Sequence, residues 1–497
     1  MEYFVNCNTS TLAPYTTPLD RSRAVHLYRR LGFGASVETV DLAVGMTAGA
    51  LVDSLVNQAI NQPPTPAPTW ADWNNSNYPA DDDAAGQLRR AQLDEWRLTY
   101  ANEMLSNNLR ERLSFFWSNH FVTEVDVYDC NSFLYHYINC LQRNSLGNFK
   151  TFVSEIGLTS AMLYYLDGVY NNGNNPNENY ARELYELFTL GEGNGYTEQD
   201  IIETAKALSG YVERGEIGCE PVAFDATAFD AGSKTILGQT GNWDYNDVID
   251  ILFQERPNEI AGFICRKLYE FFVHPDSKDA AGNAQTIIDG MASTFISNNF
   301  DIAPVLSQLF KSQHFFDDEA IGVIIKSPFD MYFNFVKETG FSYNDTNVSE
   351  LINYSGLLQQ RLFDPFDVAG WQRDRSWINT NFMIGRWLTM ESIIEGFYQD
   401  NAEQFRTLAM SIVGSIGMTT NNPDEISRPI IDYILPKGLL TETDYQRTFA
   451  VFRSDVDDTY YEGGATESWT LATWAQAPFQ VYLLLQYLGR EPEFQLK

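Results

Sequence analysis

Cysteine is scarce in this chain. Five residues, Cys7, Cys130, Cys140, Cys219 and Cys265, are spread over 497 positions without a CxxC pair. That spacing excludes a disulfide framework and a thiolate zinc site, and leaves room for a single bridge such as Cys130 to Cys140. Basic residues are also few: 33 Lys and Arg stand against 66 Asp and Glu, a formal charge of −33. Such a surface repels a phosphate backbone, so no nucleic-acid partner is expected. No stretch approaches the ~18 consecutive apolar residues of a membrane span. The opening Met1-Glu-Tyr-Phe-Val-Asn-Cys-Asn8 has no basic segment followed by an apolar one. No signal peptide is therefore visible, and the sequence reads as cytoplasmic.

Familiar catalytic motifs are missing as well. There is no Gly-x-Ser-x-Gly elbow and no Gly-x4-Gly-Lys-Ser/Thr loop. The five histidines, His26, His120, His136, His274 and His314, show no HExxH or HxH spacing. Gly191-Glu-Gly-Asn-Gly195 follows a predicted helix and not a strand, so it is a turn and not a dinucleotide cradle.

What is present is a chain made to pack. Hydrophobic residues make up 44% and aromatics 14%, and the length allows two or three domains. Helical periodicity predicts a mainly α, multi-helical globular body. Helices are expected over 22–31, 36–58, 86–106, 108–121, 130–142, 146–156, 176–190, 197–209, 246–253, 257–273, 283–297, 301–312 and 320–338. Further helices are expected over 348–361, 379–397, 401–415, 423–434, 442–452 and 468–488. The Pro-rich 62–69 and acidic 79–84 segments mark a surface excursion. One small β-ribbon is expected within 212–239, built from Pro221–Phe224 and Thr235–Leu237. The expected organisation is an N-terminal extension over 1–20, a helical core over 21–390, and a C-terminal helical part over 391–497 packed on it.

The most informative stretch runs from Asn175 to Gly191, Asn-Pro-Asn-Glu-Asn-Tyr-Ala-Arg-Glu-Leu-Tyr-Glu-Leu-Phe-Thr-Leu-Gly. Asn175 suits an N-cap, Pro176 the first helical position, and Glu178 a capping-box carboxylate. Gly191 is an αL stop. Tyr180, Leu184, Leu187 and Phe188 line an apolar stripe. Glu178, Arg182 and Glu186 recur every four residues on another face, with Glu183 beside them. Two readings stand together: a lattice of intrahelical ion pairs, or a site for a metal or an anion.

This stretch closely resembles the signature block of a bacterial family of unknown function, domain of unknown function 1800. Other blocks agree in order: Leu27–Gly34, Phe116–Phe121, Gly195–Thr197 with Ala207–Tyr211, Asp230 through Lys234 to Gly238, Lys267–Val273, Ile325–Pro328, and Phe363–Pro365 through Trp371 to Arg386. The resemblance implies a map of positions and little chemistry. In the family pattern His stands where this chain has Phe188 and Phe229, so no His-liganded transition metal is implied here. Relatives of this kind often carry export signals and are encoded beside a second uncharacterised family, domain of unknown function 1501, which suggests a partner.

Several constellations carry candidate chemistry. Asp167, Asn171, Asn177 and Glu178 offer oxygens for a hard cation, Ca²⁺ or Mg²⁺. Asp167 and Glu178 span twelve residues as in an EF-hand loop, but Val169 and Asn172 break that template. A basic cluster at Arg21, Arg23, His26, Arg29 and Arg30 is expected to pack into the body through Leu27, Tyr28, Leu31 and Phe33. Arg29 and Arg30 would then meet carboxylates, Glu183 and Glu186 by preference, or an anion. His120, among large apolar residues, is a core histidine or a proton shuttle. Trp371 and Trp377, with Arg373, Asp374 and Arg375 between, form a rim for a ligand or fill a gap between helices.

These readings favour an enzyme, a hydrolase or polymer-modifying activity, with one polar cleft. In it Glu183 or Glu186 serves as base or ligand, His120 moves protons, and Arg182, Arg29, Arg30 and Trp371 hold substrate. The alternative is a non-catalytic binding or assembly protein acting with a partner of the family of unknown function 1501.

Overall fold

The structure is a computed structural model that describes residues 10–106, 109–213, 217–275, 283–461 and 468–497. Most of the expected N-terminal extension (residues 1–9, with Cys7), residue 108 and part of the expected ribbon (214–216) lie outside the described residues. Among the described residues, 22 α-helices account for a 60% helical chain, and the only sheets are two small antiparallel pairs.

The helix Pro328–Thr339 lies at the centre. Ser327 accepts from Asp330 N while Asp330 accepts from Ser327 N, and Pro328 fills the first turn, so both ends of the capping logic are met. Eleven of its twelve residues are buried, and its polar members Asp330, Asn334 and Glu338 are hydrogen-bonded inside the molecule. Phe329 meets Phe115 of the helix Leu109–Ser118, and Phe333 meets Phe33 beyond the helix Arg21–Leu31. Such edge-on aromatic pairs contribute about 0.5–1.5 kcal/mol each beyond burial. One buried apolar cluster runs on from Leu19 to Phe494. The division expected at residue 390 falls within the helix Thr380–Asp400.

Several element boundaries differ from the sequence reading. The stretch expected as one helix over 36–58 is two, Val37–Ala43 and Ala48–Asn61. Gly45 between them takes φ +84° and donates its N–H to Leu19 O, a conformation only glycine adopts without strain. The helix expected from 320 starts at Pro328, because Gly322 at φ +63° turns the chain first. The expected β-ribbon is two separate pairs: Tyr211–Val212 with Ala223–Phe224, and Lys234–Ile236 with Gln239–Gly241. Each strand takes its nearest extended neighbour, so Pro221–Phe224 and Thr235–Leu237 never meet. Cys130 bridges Cys219 and not Cys140; the Cα atoms are 5.7 Å apart, and Cys140 is a buried free thiol.

Candidate functional site

The signature stretch folds differently at each end. Its helix begins at Asn179 and not at Pro176. Asn172 and Asn175 form a small bridged turn instead, Asn171 Oδ1 accepts from Asn177 N, and Asn177 Oδ1 accepts from Asn179 N. Asn side chains that close their own turns in this way compete with helix formation. From Leu184 to Thr189 the helix widens into a π-turn, closed by Leu190 N and Gly191 N on Tyr185 O and by the Thr189 hydroxyl on Leu184 O. Gly191, at φ +92°, ends it.

The charges of this helix sit at its outer face. Arg182 pairs with Glu178 at 3.4 Å, Glu186 at 3.3 Å and Glu198 at 2.7 Å, and its side chain is 32% exposed. Arg182 is thus the centre of an ion-pair lattice on this face. Burial, followed by the charge of Glu186, raises the Glu183 carboxyl above its ordinary value, and Arg182 opposes this. Neither of the cavities described below is lined by Glu178, Arg182, Glu183 or Glu186.

Some oxygens of the expected cation ligands are already bonded within the protein. Asp167 accepts from Asn179 Nδ2, Asn171 and Asn177 accept from backbone N–H groups, and Glu178 accepts from Arg182. Among the described residues no group of three or more His, Cys, Asp or Glu side chains is gathered as a metal site.

The basic cluster packs inward as expected, with different partners. Arg29 grips Glu338, at 2.5 Å from Nε and 2.8 Å from Nη2, and also donates to the carbonyls of Tyr433 and Ile434. Arg30 donates to Ala320 O. Glu183 and Glu186 are thus not the partners of either arginine. The central helix supplies Glu338 because it lies against Arg21–Leu31, whereas the signature helix packs elsewhere.

The polar cavity lies on the other side of the signature helix. It measures about 270 Å³, with Phe115, Phe116, Phe271, Trp371 and Trp377 as its apolar walls. Lys267, Glu270, Arg373, Asp374, His120, Asp330 and Lys497 are its ionisable residues. Three segments supply most of the wall around Lys267. Phe115, Phe116, Asn119 and His120 come from the end of Leu109–Ser118; Lys267, Glu270 and Phe271 from Pro257–Phe272; Trp371, Arg373 and Trp377 from the loop after Asp367. Gly370 joins the first and last: at φ +92° it lets Trp371 N donate to Asn119 Oδ1 at 2.6 Å, where any Cβ would collide with that amide. Trp371 then stacks on Phe115, ring centres 5.1 Å apart.

Lys267 and His120 form a buried polar pair in this cavity. His120 is 3% exposed and enclosed by the rings of Phe116, Trp117, Phe121, Phe149, Phe188 and Phe263. Its Nε2–H donates to Phe188 O at 3.1 Å, so Nδ1 is the acceptor, and Lys267 Nζ donates to it at 3.0 Å. Lys267 Nζ also donates to Leu187 O at 3.3 Å and lies 4.8 Å from the Phe263 ring centre. Both carbonyls come from the π-turn, where the widened ladder leaves them for side chains. Burial, then Lys267, pushes the His120 imidazole well below its usual value, so it is neutral. Burial, then Arg373, lowers the Lys267 ammonium to about 7, with Glu270 opposing. A neutral amine that donates both its hydrogens to His120 and Leu187 keeps its lone pair for another partner. Arg373 stands at the rim 3.6 Å from Glu270, its side chain 57% exposed. At the inner end burial would raise Asp330, but Arg112 at 2.5 Å and Lys497 at 2.6 Å outweigh it and hold the carboxyl far below its usual range.

The structure thus brings His120 and Trp371 together and leaves Arg182, Glu183, Glu186, Arg29, Arg30 and the four expected cation ligands outside this cavity. Lys267, Glu270 and Asn119 are residues that the sequence reading gave no role. A signal for Lys267 exists: Ile260, Ile264, Lys267 and Phe271 fall at helical spacing on one stripe, and a lysine within an apolar stripe requires a reason.

The chain matches the family described as protein of unknown function (DUF1800) over residues 26–496. No curated protein and no solved structure matches it. The chain belongs to this family.

Proposed function

We propose that this member of the family of unknown function 1800 is an enzyme in which neutral Lys267 takes a proton in the aromatic cavity. The observation that carries the reading is the Lys267–His120 pair. An amine whose conjugate acid has a pKa of about 7 is a base matched to neutral pH, as a general base should be. Neutral His120, fixed by Phe188 O, orients that amine and adds no positive charge beside it. The five aromatic walls fit a flat or apolar substrate face, and Arg373 at the rim fits an anionic group. Hydrolysis suits this set: Lys267 deprotonates a water that attacks the substrate, and the resulting ammonium returns the proton to the leaving group. A cavity of about 270 Å³ takes a small molecule or one terminal unit of a polymer.

The test is turnover of a panel of small aryl esters, amides and glycosides bearing a carboxylate, with wild type and Lys267→Met compared from pH 5.5 to 9. The expected rate rises with pH through about 7 and is lost in the variant. Equal rates in both proteins would overturn the reading, as would no turnover together with a Lys267 that titrates at its ordinary value.

A second reading, a binding protein acting with a member of the family of unknown function 1501, is favoured by Ile384 and Leu388. They stand one turn apart on the helix Thr380–Asp400 and are 49% and 60% exposed, an apolar pair that a partner would cover. Leu388→Lys abolishing co-purification with such a partner would support it; unchanged co-purification would count against it.

A further inference from the structure

A second cavity, independent of Lys267, lies where the helix Arg21–Leu31 meets the helices Glu403–Ser415 and Pro423–Ile434. It measures about 240 Å³ and is lined by both charged and apolar residues. His26 and Arg29, each 2% exposed, both line it, and each has an unused polar atom. Arg29 spends Nε and Nη2 on Glu338 and two carbonyls, and its Nη1 has no partner. His26 Nε2 bonds Phe315 O, so Nε2 carries the hydrogen, and Nδ1 is an acceptor without a donor. Arg21 Nη1, on the same lining, is also unpartnered. Buried groups of this kind are nearly always satisfied, and a buried guanidinium edge left open is costly.

The surrounding charge points the same way. Arg29, Arg30, Arg112 and Arg386 are all buried, and the buried side-chain carboxylates paired among them are Glu338 and Asp330. In a chain of net charge −33, this is a local surplus of basic side chains inside the molecule. Lys497, which lines both cavities, is taken by Asp330. Asp432 on the cavity wall accepts from the Tyr445 hydroxyl, which takes up part of its acceptor capacity, and burial raises its carboxyl above the ordinary value. The remaining wall is aliphatic: Val25, Ile321, Ile412, Ile416 and Leu435.

We infer that this cavity is a binding site for a small 2-hydroxycarboxylate with an apolar chain. The carboxylate accepts from Arg29 Nη1 and Arg21 Nη1, the adjacent hydroxyl donates to His26 Nδ1, and the chain lies along the isoleucines and Leu435. The volume suits about ten non-hydrogen atoms, since a cavity of ~150 Å³ already holds benzene. Carboxylate and guanidinium form a charge-assisted pair, which sets the head group, while the walls select the tail.

Calorimetric titration of the full chain with 2-hydroxyhexanoate, hexanoate and inorganic phosphate tests this. One saturable site for 2-hydroxyhexanoate is expected, at least fivefold tighter than hexanoate, with phosphate weaker than both. Ile412→Trp, which fills the cavity, should weaken binding at least tenfold; Ile416→Trp, at the half-exposed mouth, gives the same readout if the first variant folds poorly. Lys267→Met should bind as wild type does. No saturable binding, equal affinity for the hydroxylated and plain acids, or tighter binding of phosphate would overturn the proposal. So would loss of binding in Lys267→Met with both tryptophan variants unaffected, which would place the site in the first cavity.

Discussion

Lys267 concentrates the physics of this protein in one side chain. Its folded pKa of about 7 compares with about 10.4 for a free lysine. Between those values the unfolded chain holds one proton more than the folded one. Stability therefore rises with pH across that window, by up to about 1.4 kcal/mol per pH unit from this group, and its penalty is fully present below pH 7. Urea unfolding of wild type and Lys267→Met from pH 6.5 to 9.5 should show the wild type gaining on the variant by that slope; parallel curves would mean the amine is not held neutral. The outer charges of the signature helix predict something milder. Arg182 is partly solvated and shares three carboxylates, so Arg182→Ala should cost about 1 kcal/mol or less. A loss above ~2 kcal/mol in chemical denaturation would show the lattice to be structural in a way its exposure does not suggest.

Among the elements, the π-turn links the conspicuous sequence to the quieter site. Nothing in Leu184–Thr189 announces an extra residue in the turn, because the apolar spacing reads equally well as α-helix. The consequence is that the motif legible in the sequence, Glu178 to Glu186, faces outward, while its backbone carbonyls at Leu187 and Phe188 hold Lys267 and His120 on the inner side. Side-chain patterns show in a sequence; a carbonyl released by ladder geometry does not. The helical architecture was legible for the same reason in reverse, since periodicity and caps such as Ser327 with Asp330 are local. Partner choice was not: Glu338 for Arg29 and Cys219 for Cys130 depend on which elements meet, 309 and 89 residues along the chain. Close helix packing gives a sharp prediction at Gly157. A Cβ there would run into the hydroxyls of both Tyr180 and Tyr245, which bond to each other at 3.3 Å. Gly157→Ala should cost about 1–3 kcal/mol by overpacking, read as a lower denaturation midpoint with an unchanged slope. Unaltered stability would mean the tyrosines move aside freely.

At the scale of the whole molecule, helices from both ends of the chain close around Pro328–Thr339, and one bridge ties the first third to the β excursion. Cys130 and Cys219 enclose a segment of 89 residues, so opening the bridge should cost about 2–4 kcal/mol through the unfolded state. Thermal melts with and without reductant should differ accordingly, and Cys219→Ser should melt like the reduced protein; identical melts would show the thiols unpaired in solution. The central claim is that the aromatic cavity holds a neutral lysine against a neutral histidine. NMR titration of the chain with ¹³C-labelled lysine ε-carbons measures this directly, the Lys267 signal being assigned by its absence in Lys267→Met. The account predicts a midpoint near 7 for that signal; a midpoint near the ordinary lysine value of about 10.4 would contradict it.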